Sequence, residues 1–240
     1  MIESRIEVET ADGTMTTFIV RPEEGGPHPV VLYLMDAPGI RPALRDMASR
    51  LGSVGYYVML PYLYYRGGPY REFGTSDEDM HARRDLMGTV TPAGIIGDAQ
   101  ALLRMADDDP AARDGAIGTV GFCMSGRLVV ALAKALPDRV AAGASIHGAW
   151  LVNEAEDSAH RGLESVQGEL YFGWADDDPT APREDMETME KTLTEAGVRH
   201  RIDFMDGAHH GFAPPGHPNY DRTASERHWE RVLDLFRRNL

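Results

Sequence analysis

The chain has 240 residues, 42% of them hydrophobic and 26% charged, which is enough apolar material for a sizeable core and too little charge for wholesale disorder. Lys+Arg number 24 against 38 Asp+Glu, and the resulting formal charge of −14 is a poor match for nucleic acid or an anionic membrane. The single cysteine, Cys123, excludes an intrachain disulfide and every multi-cysteine zinc or iron–sulfur site.

In chain order, the N-terminus has acids at Glu7, Glu9 and Asp12 and no apolar stretch of the kind a secretion signal needs. Arg5 to Glu9 alternates apolar and polar residues, Asp12-Gly13 is a turn signal, and Thr14 to Val20 is β-branched; the three predict a hairpin. Val30 to Met35 is a continuous apolar run, too short to cross a bilayer and suited to a strand buried on both faces. Helical spacing follows over Pro42 to Val54, then a strand from Tyr56 to Leu60. Helices are predicted for about Ser76 to Met87 and Pro92 to Ala106, a strand for Ala116 to Gly121 and a helix for Met124 to Ala135. Strands at Val140 to Ile146, Glu169 to Trp174 and Arg201 to Met205 alternate with a helix from Pro182 to Ala196. The chain closes with an amphipathic helix, Asp221 to Arg238, capped by Asp221 and burying Val232, Leu233 and Phe236. This alternation predicts an α/β fold with a mostly parallel central sheet and helices on both faces. With no linker and no composition break, one domain over residues 1–240 is expected, in a cytoplasmic, reducing setting.

The chemistry concentrates in Gly118-Thr119-Val120-Gly121-Phe122-Cys123-Met124-Ser125-Gly126-Arg127. A nucleophile held on a tight strand-to-helix turn needs small residues two before and two after it, because the backbone passes too close for larger ones. Cys123 has Gly121 at −2 and Ser125 at +2. Ser125 is a poorer nucleophile candidate, with Arg127 at its own +2, and Ser145 fails with His147 at +2. A thiol at a helix N-terminus is also favoured as thiolate.

Such a thiol needs a base and a group to orient the base, following it in the order acid then histidine. The strand Glu169 to Trp174 runs into Ala175-Asp176-Asp177-Asp178, and the strand Arg201 to Met205 into His209-His210-Gly211-Phe212. Asp176, nearest the expected strand end, is the chosen acid, with Asp178 in reserve. His210, directly before Gly211, is chosen over His209.

With these motifs in place, the sequence resembles the dienelactone hydrolase family of the α/β-hydrolase fold over nearly its whole length. The resemblance rests on Gly121 to Gly126, on Ala175-Asp176, on His210-Gly211-Phe212, on Leu34-Met35-Asp36-Ala37-Pro38-Gly39-Ile40 and on Leu60 to Arg66. It implies a Cys123–His210–Asp176 triad, an oxyanion hole from the backbone N–H groups of Met124 and Ala37, and no cofactor or metal. The family's glutamate that switches thiol to thiolate falls on Asp36, one methylene shorter. An arginine that holds a substrate carboxylate, four residues after the histidine, falls on Pro214; Arg84, Arg83, Arg66 and Arg41 are the alternative cations. His147, at the end of a strand, is a pocket candidate.

The expected function is hydrolysis of small carboxylic esters or lactones, by a monomer or small homo-oligomer whose partner is the small-molecule substrate. The alternatives are a non-catalytic small-molecule binding protein on the same scaffold and a metal-dependent hydrolase using His209, His210, His217 and the Asp176–Asp178 acids.

Overall fold

The hairpin predicted by alternation forms. β1 (Ile2–Thr10) and β2 (Gly13–Arg21) pair antiparallel from Ile2↔Arg21 to Thr10↔Gly13. Gly13 closes the turn at a φ of 133°, open to glycine and strained for a side chain. The computed structural model describes residues 1–240, in two compact units, Met1–Gly115 and Ala116–Leu240.

The first unit has the strand order β1-β2-β4-β3. β3 (His28–Leu34) is buried from Val30 to Leu34, and β4 (Tyr57–Pro61) runs parallel to it and antiparallel to β2. α1 (Pro42–Gly52) buries Leu44, Met47, Ala48 and Leu51, the three-to-four spacing of one helix face. α3 (Pro92–Asp107) starts where the Thr91 hydroxyl accepts the Gly94 N–H at 3.0 Å, and it buries Ile95, Ala99, Leu102, Leu103 and Ala106. Between them α2 (Asp77–Met87) buries no residue. Its ends explain its existence: Ser76 accepts the Asp79 N–H at 3.2 Å, and Asp77, Glu78 and Asp79 in the first turn suit the helix dipole.

The second unit is parallel throughout, in the order β5-β6-β7-β8. Its strands are β5 (Ala112–Phe122, whose first residues close the first unit), β6 (Val140–Ile146), β7 (Glu169–Asp177) and β8 (His200–His209). Three helices accompany them, α4 (Gly126–Ala135), α5 (Arg183–Glu195) and α6 (Arg222–Asn239). Glycines on the strands admit the helices. A Cβ on Gly118 would come within 2.9 Å of Phe236 and Leu240 at the α6 end, and one on Gly121 or Gly143 within 2.9 Å of Val129 on α4. Gly118 and Gly121 are three apart on one strand, so α4 and α6 cover opposite faces. Within the two units the antiparallel pairings are those of β2, with β1 and with β4.

Three boundaries differ from expectation. β7 and β8 run on to Asp177 and His209, past the predicted ends at Trp174 and Met205, because their ladder resumes at Asp177↔His209 after a register shift. The predicted helix from Met124 opens as a single 3-10 turn over Cys123–Ser125 before α4. On α6 it is Leu235, not Leu233, that joins Val232 and Phe236 in the core. Asp221 caps that helix as expected, accepting the Ala224 N–H at 2.9 Å. No helix is long and apolar enough to cross a membrane.

Candidate active site

Cys123 stands at the junction of β5 and the turn that opens α4, with a φ of +53°, one of three non-glycine residues in the left-handed region. Such a conformation costs on the order of 1–3 kcal/mol and persists only where the surroundings enforce it. The enforcing contacts are visible. The Cys123 carbonyl accepts the Gly126 N–H and, at 2.9 Å, the Ala149 N–H. A Cβ on Gly121 would lie 2.5 Å from the Ser125 carbonyl oxygen, so the −2 position must be glycine. After Cys123 the closest approach falls on Gly126, one residue beyond the +2 position: its added Cβ would lie 2.4 Å from Ser145 Oγ and 2.5 Å from the Gly148 Cα. Ser125 is fully buried and fits at +2.

The imidazole of His210 is coupled electrostatically to the Cys123 thiol, one of the groups that raise it. Its Nδ1 is 2.6 Å from Asp178 Oδ2, which leaves Nε2 for the sulfur. The other carboxylate oxygen of Asp178 accepts the Thr180 N–H at 2.8 Å and the Thr180 hydroxyl at 2.6 Å. Burial works against charge on His210, but the hydrogen bonds and charges of Asp178 and Cys123 outweigh it and push the imidazole up to about 10. Burial likewise raises Asp178, and His210 and Thr180 together overcome it and hold the carboxyl below the usual range. Gly211 has a φ of +86°, and a Cβ there would meet His217 at 2.4 Å, so the loop beyond His210 can turn only with glycine at this place.

The acid expected at Asp176 is displaced by this geometry. Asp176 is exposed and accepts the Gly207 N–H at 2.9 Å, and the carboxylate on His210 is that of Asp178. The physical reason is the longer β7: with the strand ending at Asp177, Asp178 is the first residue beyond it and turns inward, while Asp176 lies within the strand at its register shift. Asp177 faces solvent and pairs with exposed His209 at 2.9 Å. The histidines considered as metal ligands turn to different partners: His209 to Asp177, His210 to Asp178, and His217 Nδ1 to the Asn219 N–H at 3.1 Å. No group of three or more His, Cys, Asp or Glu side chains converges as a metal site.

His147 is fully buried with its ring centroid 5.1 Å from that of His210 and 5.1 Å from Phe212. Met124 is buried on the opening turn of the helix, where backbone N–H groups project from the end. The remaining sequence candidates belong to the first unit. Asp36 is buried and gripped by Arg41 through two bonds, at 2.6 and 2.8 Å; the Ala37 carbonyl accepts the Tyr64 hydroxyl at 2.8 Å. Arg66 is bound to Asp98 and Asp12, Arg83 is half-buried and Arg84 is exposed on α2. Thr180, which no sequence motif singled out, holds the acid; its signal was the Asp-x-Thr spacing that lets an aspartate accept from the residue two ahead.

The dienelactone hydrolase family model matches residues 15–240, across both units. A cyanobacterial protein of Synechocystis sp., named "Putative carboxymethylenebutenolidase", is 31% identical over 226 residues, covering 93% of this chain and 91% of that one. The carboxymethylenebutenolidase of Rhodococcus opacus is 26% identical, covering 88% and 81%. Among solved structures, a "Putative Dienelactone Hydrolase" from Klebsiella pneumoniae superposes with a TM-score of 0.87 at 21% identity, covering 98% of each chain, which gives the α/β-hydrolase fold. By the extent of the family match and the identity to its relatives, this chain belongs to the dienelactone hydrolase family.

Proposed function

We propose that the protein hydrolyses small carboxylic esters or lactones through a thioester on Cys123, with His210 as its base and Asp178 as the acid that orients it. One observation carries the reading: His210, whose Nδ1 is 2.6 Å from the buried Asp178 carboxylate, is coupled to the thiol of Cys123, itself held in a left-handed backbone conformation. The imidazolium of His210 stabilises the thiolate, which attacks the substrate carbonyl. The tetrahedral oxyanion is met by backbone N–H at the elbow, that of Met124, a donor worth about 3 kcal/mol in the transition state. His210 passes its proton to the leaving alcohol and, now neutral, takes a proton from the water that cleaves the thioester. Asp178 fixes the tautomer that presents Nε2 to the sulfur.

The substrate reading favours neutral esters. The position of the family's carboxylate-binding arginine is Pro214, and two of the alternative arginines, Arg41 and Arg66, are already paired with Asp36 and Asp98. An unpaired catalytic thiol also suits a reducing, cytoplasmic setting. The test compares wild type and Cys123→Ala on a dienelactone and on phenyl acetate at neutral pH. The expectation is turnover by wild type alone, with the neutral ester at least as good a substrate as the anionic lactone. Turnover by Cys123→Ala would overturn the mechanism, and a strong preference for the anionic lactone would overturn the substrate reading.

A further inference from the structure

One short segment touches the proposed nucleophile, the base and the residue that holds the acid. The Ala149 N–H donates to the Cys123 carbonyl at 2.9 Å. The Trp150 N–H donates at 2.9 Å to the carbonyl of Thr180, the residue that holds Asp178 by two hydrogen bonds. The His147 ring packs edge-on against His210 at 5.1 Å, with an interplanar angle of 65°. Gly148 completes the set: a Cβ there would come within 2.3 Å of Ser145 Oγ and 3.2 Å of the Gly126 Cα, so the segment lies directly against the start of α4.

The segment is itself held under strain. His147 and Trp150 have φ values of +38° and +55°, and with Cys123 they are the only non-glycine residues in the left-handed region. The His147 N–H is tied to the Gly173 carbonyl of β7 at 2.8 Å, and the Trp150 carbonyl accepts the Asn153 side-chain amide at 3.0 Å. Strain spent on both ends of a four-residue segment and on the nucleophile beside it marks a place where position matters more than stability.

We propose that His147–Trp150 is the strap that keeps nucleophile, base and acid in register, and that His147 is a positioning residue that fixes the plane of the His210 ring. This deepens the hydrolase reading and rests on it. The His147 ring suits the task. It is wedged among His210, Phe212 at 5.1 Å and Phe122, the residue before the nucleophile, at 5.9 Å, and neither of its nitrogens makes a hydrogen bond. Burial first, and then the charges of His210, His228 and His217, hold it well below the ordinary imidazole range, so it presents an uncharged flat ring to the charged one. Its contribution is shape and stiffness, with no proton of its own to move.

The test uses His147→Ala, which removes the ring, and His147→Phe, which keeps a ring of the same orientation without nitrogens. Because Cys123 is the sole cysteine, its alkylation by iodoacetamide at pH 7 reports how well His210 holds the thiolate, whether or not an ester is turned over. In His147→Ala the alkylation rate is expected to fall about tenfold and kcat on phenyl acetate about 10- to 100-fold, with KM within about twofold, since the proposed role acts through His210. In His147→Phe both rates are expected to return to within about threefold of wild type, as volume-conserving ring replacements usually allow. His147→Leu, bulky but not flat, takes the place of the alanine variant if that fails to fold, with the same expectation. Unchanged alkylation in the ring-less variant, or a phenylalanine variant as slow as it, would overturn the positioning role. If wild type turns over no ester while the alkylation pattern holds, the strap stands and the hydrolase reading falls.

Discussion

Each unit carries a buried aspartate that meets a cation, and the two pairs are built for different ends. Asp36, after β3, takes both hydrogen bonds of one guanidinium edge from Arg41, at 2.6 and 2.8 Å, the parallel geometry in which arginine matches a carboxylate best. Asp178, after β7, divides its oxygens, one for His210 at 2.6 Å and the other for Thr180. Arginine is charged at every pH the fold survives, so the first pair is a fixture. Histidine gains and loses its proton, so the second pair stores a charge that chemistry can use. The lesson is that burial of an acid says little about its role until its partner is known.

The comparison can be broken at several points, and the largest effect should come from removing what the second pair serves. Cys123→Ala should lower ester turnover roughly 10⁴-fold or more, read as release of phenol from phenyl acetate. Next, Asp178→Asn should cut kcat by about 10³- to 10⁴-fold, since an amide favours the wrong His210 tautomer. Asp176→Asn, a change at a carboxylate that only holds the Gly207 N–H, should leave kcat within about twofold. On the side of the fixture, Asp36→Asn should cost about 2–3 kcal/mol in urea unfolding, because it leaves the mostly buried Arg41 charge without its match; an unchanged midpoint would show the pair to be dispensable.

The smallest effect concerns pH. His210 is raised from 6.5 to about 10 in the folded protein, so its pair contributes fully below about pH 6.5 and is lost as pH climbs toward 10. The Tm of wild type should therefore decline between pH 6.5 and 10 more steeply than that of His210→Gln. Equal slopes would mean that the imidazolium is not what Asp178 and the thiol stabilise.

Much of this architecture is written in local sequence signals. The hairpin, β3, α1, α3 and β6 follow from alternation, apolar runs and helical spacing, and Gly121 before Cys123 marks the elbow. The acid was misplaced for a non-local reason. Three aspartates and a proline after Trp174 look like the end of a strand, since aspartate is a poor strand former. The ladder with β8 overrides that preference and carries β7 three residues further, as far as Asp177. The strap was less legible still. His147 shows as a histidine at a strand end, but nothing in the letters Gly148-Ala149-Trp150 says that two neighbouring N–H groups reach the nucleophile and the holder of the acid. Arg41 likewise reads in the sequence as one of several cations, and only the fold sets it against Asp36, five residues away.

Trp150, the last residue of the strap, has one more consequence, an optical one. Trp174 and Trp229 are buried at 3% and 2%, whereas Trp150 is 40% exposed. A collisional quencher such as acrylamide will therefore reach one indole of the three first. The quenched fraction of the emission reports on the segment that ends at Trp150, so movement of that segment can be followed in the unmodified protein without a label.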